Sequence, residues 1–228
     1  MKHLIHSLYY WGNVKTWIRP IIRINTKRYV EGMENMPKEG PLILACNHLN
    51  LADPALITAL LPRRIVWMTK RELFDIPVLG LFYHLYGAIP VRRFEADLSA
   101  LHKAQEALKR GQVLGMFPEG TRSLNGGLGK GYAGTALIAL RTGAPVLPVA
   151  VWGTEMIKLP KAFFQRTPVH VRIGQPFTLP RVERIRTTVV KEGTEFIMGK
   201  IAELLPTQYR GVYTDAIPPK VAQDVGKS

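Results

Sequence analysis

A histidine and an aspartate five residues apart, in Asn47-His48-Leu49-Asn50-Leu51-Ala52-Asp53, have types and spacing that suit proton transfer. They follow residues 41–46 (PLILAC), a continuous apolar run suited to a buried strand. The intervening loop is short enough for the Asp53 carboxylate to meet the imidazole. One ring nitrogen then donates to Asp53, and the other is left as an outward-facing base. This is the base and its orienting carboxylate, two parts of a catalytic triad. No serine or cysteine completes it, because Cys46 is expected to point to the opposite side of the strand. On local grounds alone, Asp53 before Pro54 is equally a helix N-cap, and a lone strand-end histidine is a weak signal.

A second segment, Phe117-Pro118-Glu119-Gly120-Thr121-Arg122-Ser123, follows another apolar run and is expected at the same edge of the sheet. Exposed glycine amides, a hydroxyl and a guanidinium suit phosphate, since arginine offers planar bidentate donors. The glycine-rich stretch 126–131 is no phosphate-binding P-loop. Leu124 stands where the first glycine belongs, and Gly131 replaces the Ser or Thr after Lys130.

The elements that must position these residues alternate between strand and helix. Strands are expected at 41–46, 65–68, 88–91, 112–117, 145–152 and 169–173. Helices are expected at 54–61, 98–110 with Asp97 as N-cap, 132–141 and 182–205. The fold class is α/β: a mixed, largely parallel central sheet flanked by helices. In front lies an amphipathic two-helix arm, residues 3–18 and a short helix starting at Pro20. The domain division is an arm at 1–30, a body at 31–206 and a loosely attached tail at 207–228.

The 228 residues carry 31 Lys and Arg against 17 Asp and Glu, a net charge of +14, which points to an anionic partner. One cysteine excludes a disulfide framework and a cysteine-based zinc site. Six of the basic residues and no acidic one fall in the first thirty positions, interleaved with Tyr9, Tyr10, Trp11 and Trp17. Such an arm suits an anionic membrane surface, or equally packs on the body. The longest uncharged run, 76–91, is 16 residues and broken by Pro, Gly and His84. A spanning helix needs about 20, so no transmembrane segment is expected, and no signal peptide is read. That run is also a candidate wall for an acyl groove.

NHLNLAD and FPEGTRS, about 70 residues apart, resemble the two defining blocks of the glycerolipid acyltransferase family, whose best-known members are 1-acyl-sn-glycerol-3-phosphate acyltransferases. Lys70-Arg71-Glu72-Leu73-Phe74, Gly87-Ala88-Ile89-Pro90-Val91-Arg92-Arg93 and Gly143-Ala144-Pro145-Val146-Leu147-Pro148-Val149 resemble three further family stretches in the right order. Arg92 departs from the acidic residue frequent in the second of these. The resemblance implies transfer of a fatty acyl group from acyl-CoA or acyl carrier protein to lysophosphatidate, giving phosphatidate. Within it, His48 is the general base and Asp53 its orienter. Lys70, Arg93, Glu119, Gly120, Thr121 and Arg122 hold the phosphoglycerol. No cofactor and no metal are expected. The expected location is peripheral or monotopic on the cytoplasmic face of the cell membrane, with anionic lipid as partner and no nucleic acid. Sibling activities toward glycerol-3-phosphate or lysophospholipid, or a non-catalytic basic lipid-binding module, are the alternatives.

Overall fold

The computed structural model describes residues 2–95, 97–157 and 166–215. Seven strands form one sheet in the order β1-β7-β6-β2-β5-β3-β4. They are β1 Thr26–Glu31, β2 Leu42–Cys46, β3 Ile65–Lys70, β4 Ile89–Val91, β5 Val113–Met116, β6 Val146–Trp152 and β7 Thr167–Ile173. All neighbours are parallel except β6 and β7. The central strands β2 and β5 are buried at every residue, so they read as uninterrupted apolar runs. Strand β7 alternates instead, with Val169, Val171 and Ile173 buried and His170 and Arg172 on the opposite face.

Helices cover both faces. On one side α1 Lys2–Asn13, α2 Arg19–Asn25, α3 Asp53–Leu60 and α4 Pro77–Tyr86 contribute Tyr10, Ile22, Leu56, Ile57 and Tyr86 to one core. On the other, α5 Leu98–Lys109, α6 Gly134–Thr142 and α7 Thr187–Leu204 pack Leu101, Ala104, Ala136, Ile138, Ile197 and Ile201 into a second. Asp97 caps α5 as its sequence suggests: its Oδ1 accepts from the Ala100 amide at 2.9 Å.

The structure adds detail to the arm and moves the start of the last helix. The arm does not end cleanly at residue 30, because Thr26–Glu31 forms the edge strand β1, pairing with β7. Its charged TKRYVE sequence alternates with only Thr26 fully buried, which hides it among the basic residues of the arm. The arm's two helices and the π-helical turn that joins them at Val14–Ile18 seat Tyr10, Val14 and Ile22 in the core. The Tyr10 hydroxyl accepts from the Ile65 amide at 3.1 Å. Helix α7 starts at Thr187 rather than 182, since residues 181–186 offer the body almost no apolar contact.

The segment after 206 is attached through residue 215. Leu128 N donates to Tyr209 O, Val212 N donates to Leu128 O, and Tyr213 is buried. Residues 216–228 lie outside the described residues. Among the described residues no helix is long and apolar enough to cross a membrane. The uncharged run 76–91 is split between α4, packed against α1, and β4.

Candidate active site

Because β2, β3, β4 and β5 are parallel, their carboxyl ends lie on one edge of the sheet, where α/β proteins gather ligands. His48 leaves β2, Lys70 ends β3, Arg93 follows β4, and Glu119–Arg122 follows β5. Strand direction puts these four segments, scattered over 75 residues of sequence, on one edge, and the order β2-β5-β3-β4 makes them neighbours.

His48 Nδ1 lies 2.8 Å from Asp53 Oδ2, with both residues buried. The same oxygen accepts the Leu49 and Asn50 amides at 2.7 Å each. Asp53 therefore does not cap its own helix with its side chain; the carboxylate turns back into the loop it follows. With three N–H donors converging on one carboxylate oxygen, Nδ1 carries the ring proton and Nε2 is the free base. Cys46 is fully buried in the core on the helix α1–α4 face, and burial pushes its thiol well above the usual range. It supplies no nucleophile.

Three residues outside the sequence-level candidates hold the base in place. Asn47 locks the end of β2 to β6 by donating Nδ2–H to Val151 O and accepting Val151 N–H, both at 2.8 Å. The imidazole stacks on Phe117 at 4.0 Å and 17°, and Phe117 stacks on Trp67 at 5.0 Å and 8°. The Trp67 indole N–H in turn donates to Thr58 Oγ1. Strands β2, β5 and β3 are neighbours, so the three rings form a row across the sheet. Asn47 had a readable signal, a polar side chain next to His48 at the end of an apolar run. Trp67 had none, since the strand order that stacks it on Phe117 is not written locally.

Glu119 has a structural task within the site. It is buried, and its two carboxylate oxygens accept the His48 amide and the Gly129 amide, each at 2.8 Å. It ties the base-bearing loop to the glycine-rich loop, and it also lines the cleft that Thr121 and Arg122 line. Burial, opposed by those two hydrogen bonds and aided by nearby Asp53, pushes its carboxyl up to about 7. Ser123 N also donates to His48 O at 2.8 Å, so the two motif loops are joined twice.

Arg93 and Arg122 are close enough to repel. Burial lowers the Arg93 guanidinium from its usual value, Glu72 opposes that shift, and Arg122 adds to it. Lys70 pairs with Glu72 at 3.2 Å and is partly neutralised by it. Arg122 and Thr121 are exposed and line an open cleft of about 540 Å³ with Lys130 and the glycine-rich loop. Gly120 makes the turn at φ +64°, a conformation costly for other residues. Alongside lies a mostly apolar cavity of about 620 Å³ walled by β3, β4, α5, β5 and α6, including Met68, Val91, Leu101, Met116 and Ile138, with Arg93 also in its lining. The wall expected from 76–91 is thus represented only by Val91. Among the described residues no cluster of three His, Cys, Asp or Glu side chains is placed to hold a metal ion.

One backbone strain sits at this edge. Phe94 adopts φ +65°, which for a bulky residue costs on the order of 1–3 kcal/mol. Asp97 lies close by: its Oδ2 accepts the Arg92 amide at 3.0 Å while its Oδ1 caps α5.

A buried histidine–aspartate pair, two arginines and a mostly apolar cavity lie together at the carboxyl edge of an α/β sheet. A family model described as Acyltransferase matches residues 27–152, which include both motif blocks. A 1-acyl-sn-glycerol-3-phosphate acyltransferase of Bacillus subtilis is 30% identical over 182 residues, covering 77% of this chain and 86% of that protein. A chloroplastic protein of the same description from Arabidopsis thaliana is 32% identical over 158 residues, or 68% of this chain. The match spans only 42% of the plant protein's length. The crystal structure of the 1-acyl-sn-glycerophosphate acyltransferase PlsC from Thermotoga maritima has a TM-score of 0.60 at 28% identity, covering 86% of this chain and 97% of that one. The chain belongs to the Acyltransferase family.

Proposed function

We propose that the protein transfers a fatty acyl group from a thioester, acyl-CoA or acyl carrier protein, to the free hydroxyl of lysophosphatidate. The observation that carries this reading is the buried His48–Asp53 pair, with Nε2 free, beside Arg93, Arg122 and an apolar cavity. The activity of the Bacillus and plant relatives, as their names give it, agrees with it.

In this mechanism Nε2 of His48 takes the proton of the acceptor hydroxyl as its oxygen attacks the thioester carbon. The C–S bond then breaks, and the proton passes to the leaving sulfur as a free thiol. Asp53 holds the imidazole in the required tautomer and stabilises the imidazolium. The acceptor supplies the nucleophile, which accounts for a site that needs no serine or cysteine. Arg93 and Arg122 neutralise the phosphate, and the mutual repulsion of the two guanidinium groups is relieved when a dianion binds between them. No cofactor takes part. Arg122→Ala is expected to raise the KM for lysophosphatidate about tenfold or more with kcat within a few-fold of wild type. Steady-state kinetics with varied acceptor checks this, and an unchanged KM removes Arg122 from the phosphate site.

The exposed face of the arm supports placement at a membrane surface, and the side proposed is the cytoplasmic one. Trp17, Ile21 and Ile24, spaced four and three residues apart, are all exposed beside Lys15, Arg23 and Lys27. The inner residues of the arm belong to the core, so deleting it is an unsuitable test. Trp17→Ala with Ile24→Ala leaves the buried face intact. That pair is expected to weaken sedimentation with anionic vesicles several-fold, and undiminished binding would mean that the exposed face does not touch lipid.

A further inference from the structure

Two cavities of different chemistry share Tyr132, which packs against Phe94. Phe94 and Tyr132 contact edge to face, with ring centroids 4.9 Å apart and planes at 60°. Both rings stand over Gly120: a Cβ built there would lie 3.3 Å from Tyr132 and 3.4 Å from Phe94. Tyr132 lines both the basic cleft and the apolar cavity, and Phe94 lines the apolar one. The Tyr132 amide donates to Pro118 O at 2.8 Å, which fixes this residue to the turn bearing Gly120 and Arg122. Phe94 by contrast is 65% exposed, in a strained backbone conformation.

An exposed aromatic ring held in a left-handed conformation is unfavourable twice over, in backbone strain and in hydration. Both costs fall if the ring meets an apolar ligand. The position fits one kind of ligand. A molecule with its anionic head against Arg122 and Lys130 and its tail among Met68, Leu101 and Ile138 has to cross between the cavities at Gly120, beneath the two rings.

We propose that Phe94 and Tyr132 form an aromatic clasp at the junction of the two cavities, closing on the first carbons of an anionic amphiphile and selecting long-chain over short-chain substrates. The proposal rests on the acyl-transfer reading for the use of the site, and goes beyond it in naming what discriminates the chain. Tyr132 is the fixed jaw and Phe94 the one that changes position. The turn residue carries the ring at the expense of backbone strain, which a glycine at 94 lacks.

The test uses the full chain with two defined probes: decyl phosphate below its micelle concentration, and ethyl phosphate. Their affinities are measured by calorimetry for wild type, Phe94→Gly and Tyr132→Leu. Phe94→Gly removes the strain with the ring, so it is expected to fold with a Tm at or above wild type. The clasp predicts that decyl phosphate binds roughly tenfold more weakly to each variant, with ethyl phosphate affinity unchanged. Decyl phosphate affinity within twofold of wild type in both variants overturns it. So does an equal loss for both probes, which would assign the rings to the head site. Failure of the wild type to prefer decyl over ethyl phosphate overturns it as well. A wild type that shows the preference and the variant losses, yet transfers no acyl group to lysophosphatidate, supports the clasp and refutes the function proposed above.

Discussion

His48→Ala is expected to lower kcat for acyl transfer roughly 10²–10⁴-fold, the usual contribution of a positioned base. The fold survives: Asp53 Oδ2 keeps the Leu49 and Asn50 amides, and Asn47 still locks β2 to β6. The lost stack on Phe117 and hydrogen bond to Asp53 cost about 1–3 kcal/mol. Circular dichroism and a thermal melt establish folding, and a transfer assay reads the activity. Wild-type-like turnover in the folded variant contradicts the assignment of the base. Asp53→Asn separates orientation from charge. The single carbonyl oxygen of the carboxamide takes the Oδ2 position, where it still accepts Nδ1–H and the Leu49 and Asn50 amides, so the tautomer is kept and only the negative charge is lost. This variant is expected to lower kcat by less than His48→Ala, and an equally large loss would mean that the Asp53 charge is what makes His48 a base.

Glu119 gives the second large effect, through position rather than chemistry. Its carboxylate accepts from both the His48 and Gly129 amides. Glutamine has one oxygen for those two donors, so Glu119→Gln leaves one amide facing an NH₂ group. The loop carrying His48 shifts, and displacement of a catalytic group by about 1 Å costs on the order of 10²-fold in rate. The expected signature is a fall in kcat with little change in the KM for lysophosphatidate, opposite to Arg122→Ala. A rise in KM alone would instead make Glu119 a direct ligand of the acceptor.

The pH dependence has a definite sign. The carboxyl rises in the folded protein to about 7, so the fold retains a proton that the unfolded chain has released. Stability therefore falls as pH rises from the ordinary glutamate range to about 7, by on the order of 3 kcal/mol, and levels off above that. Activity moves the other way, because only the carboxylate accepts both amides. Glu119→Gln flattens the stability profile over this interval, which chemical denaturation at several pH values measures.

The alternation of strand and helix was legible because the central strands are wholly apolar and each helix carries a clear apolar face. It also fixed which edge of the sheet holds NHLNLAD and FPEGTRS, since parallel strands put their carboxyl ends together. What sequence could not supply was order across the sheet. Trp67, Phe117 and His48 stack only because β3, β5 and β2 are adjacent, and nothing near any of the three records this. Glu119 was legible as a site residue but not in its orientation: a glutamate in a turn reads as solvent-facing, and only the approach of the His48 and Gly129 amides turns it inward. Strand β1 was missed because an edge strand rich in Lys and Arg looks like an extension of a basic arm. Phe94 carried no sequence signal for its positive φ.

The central claim is direct transfer to an acceptor hydroxyl activated by His48. Release of free thiol from a long-chain acyl-CoA or acyl carrier protein thioester, followed with and without lysophosphatidate, tests it most directly. Thiol release that requires lysophosphatidate, one thiol per phosphatidate formed, and that disappears in His48→Ala is the result predicted. Thiol released at the same rate without lysophosphatidate, or with His48 replaced, would contradict it.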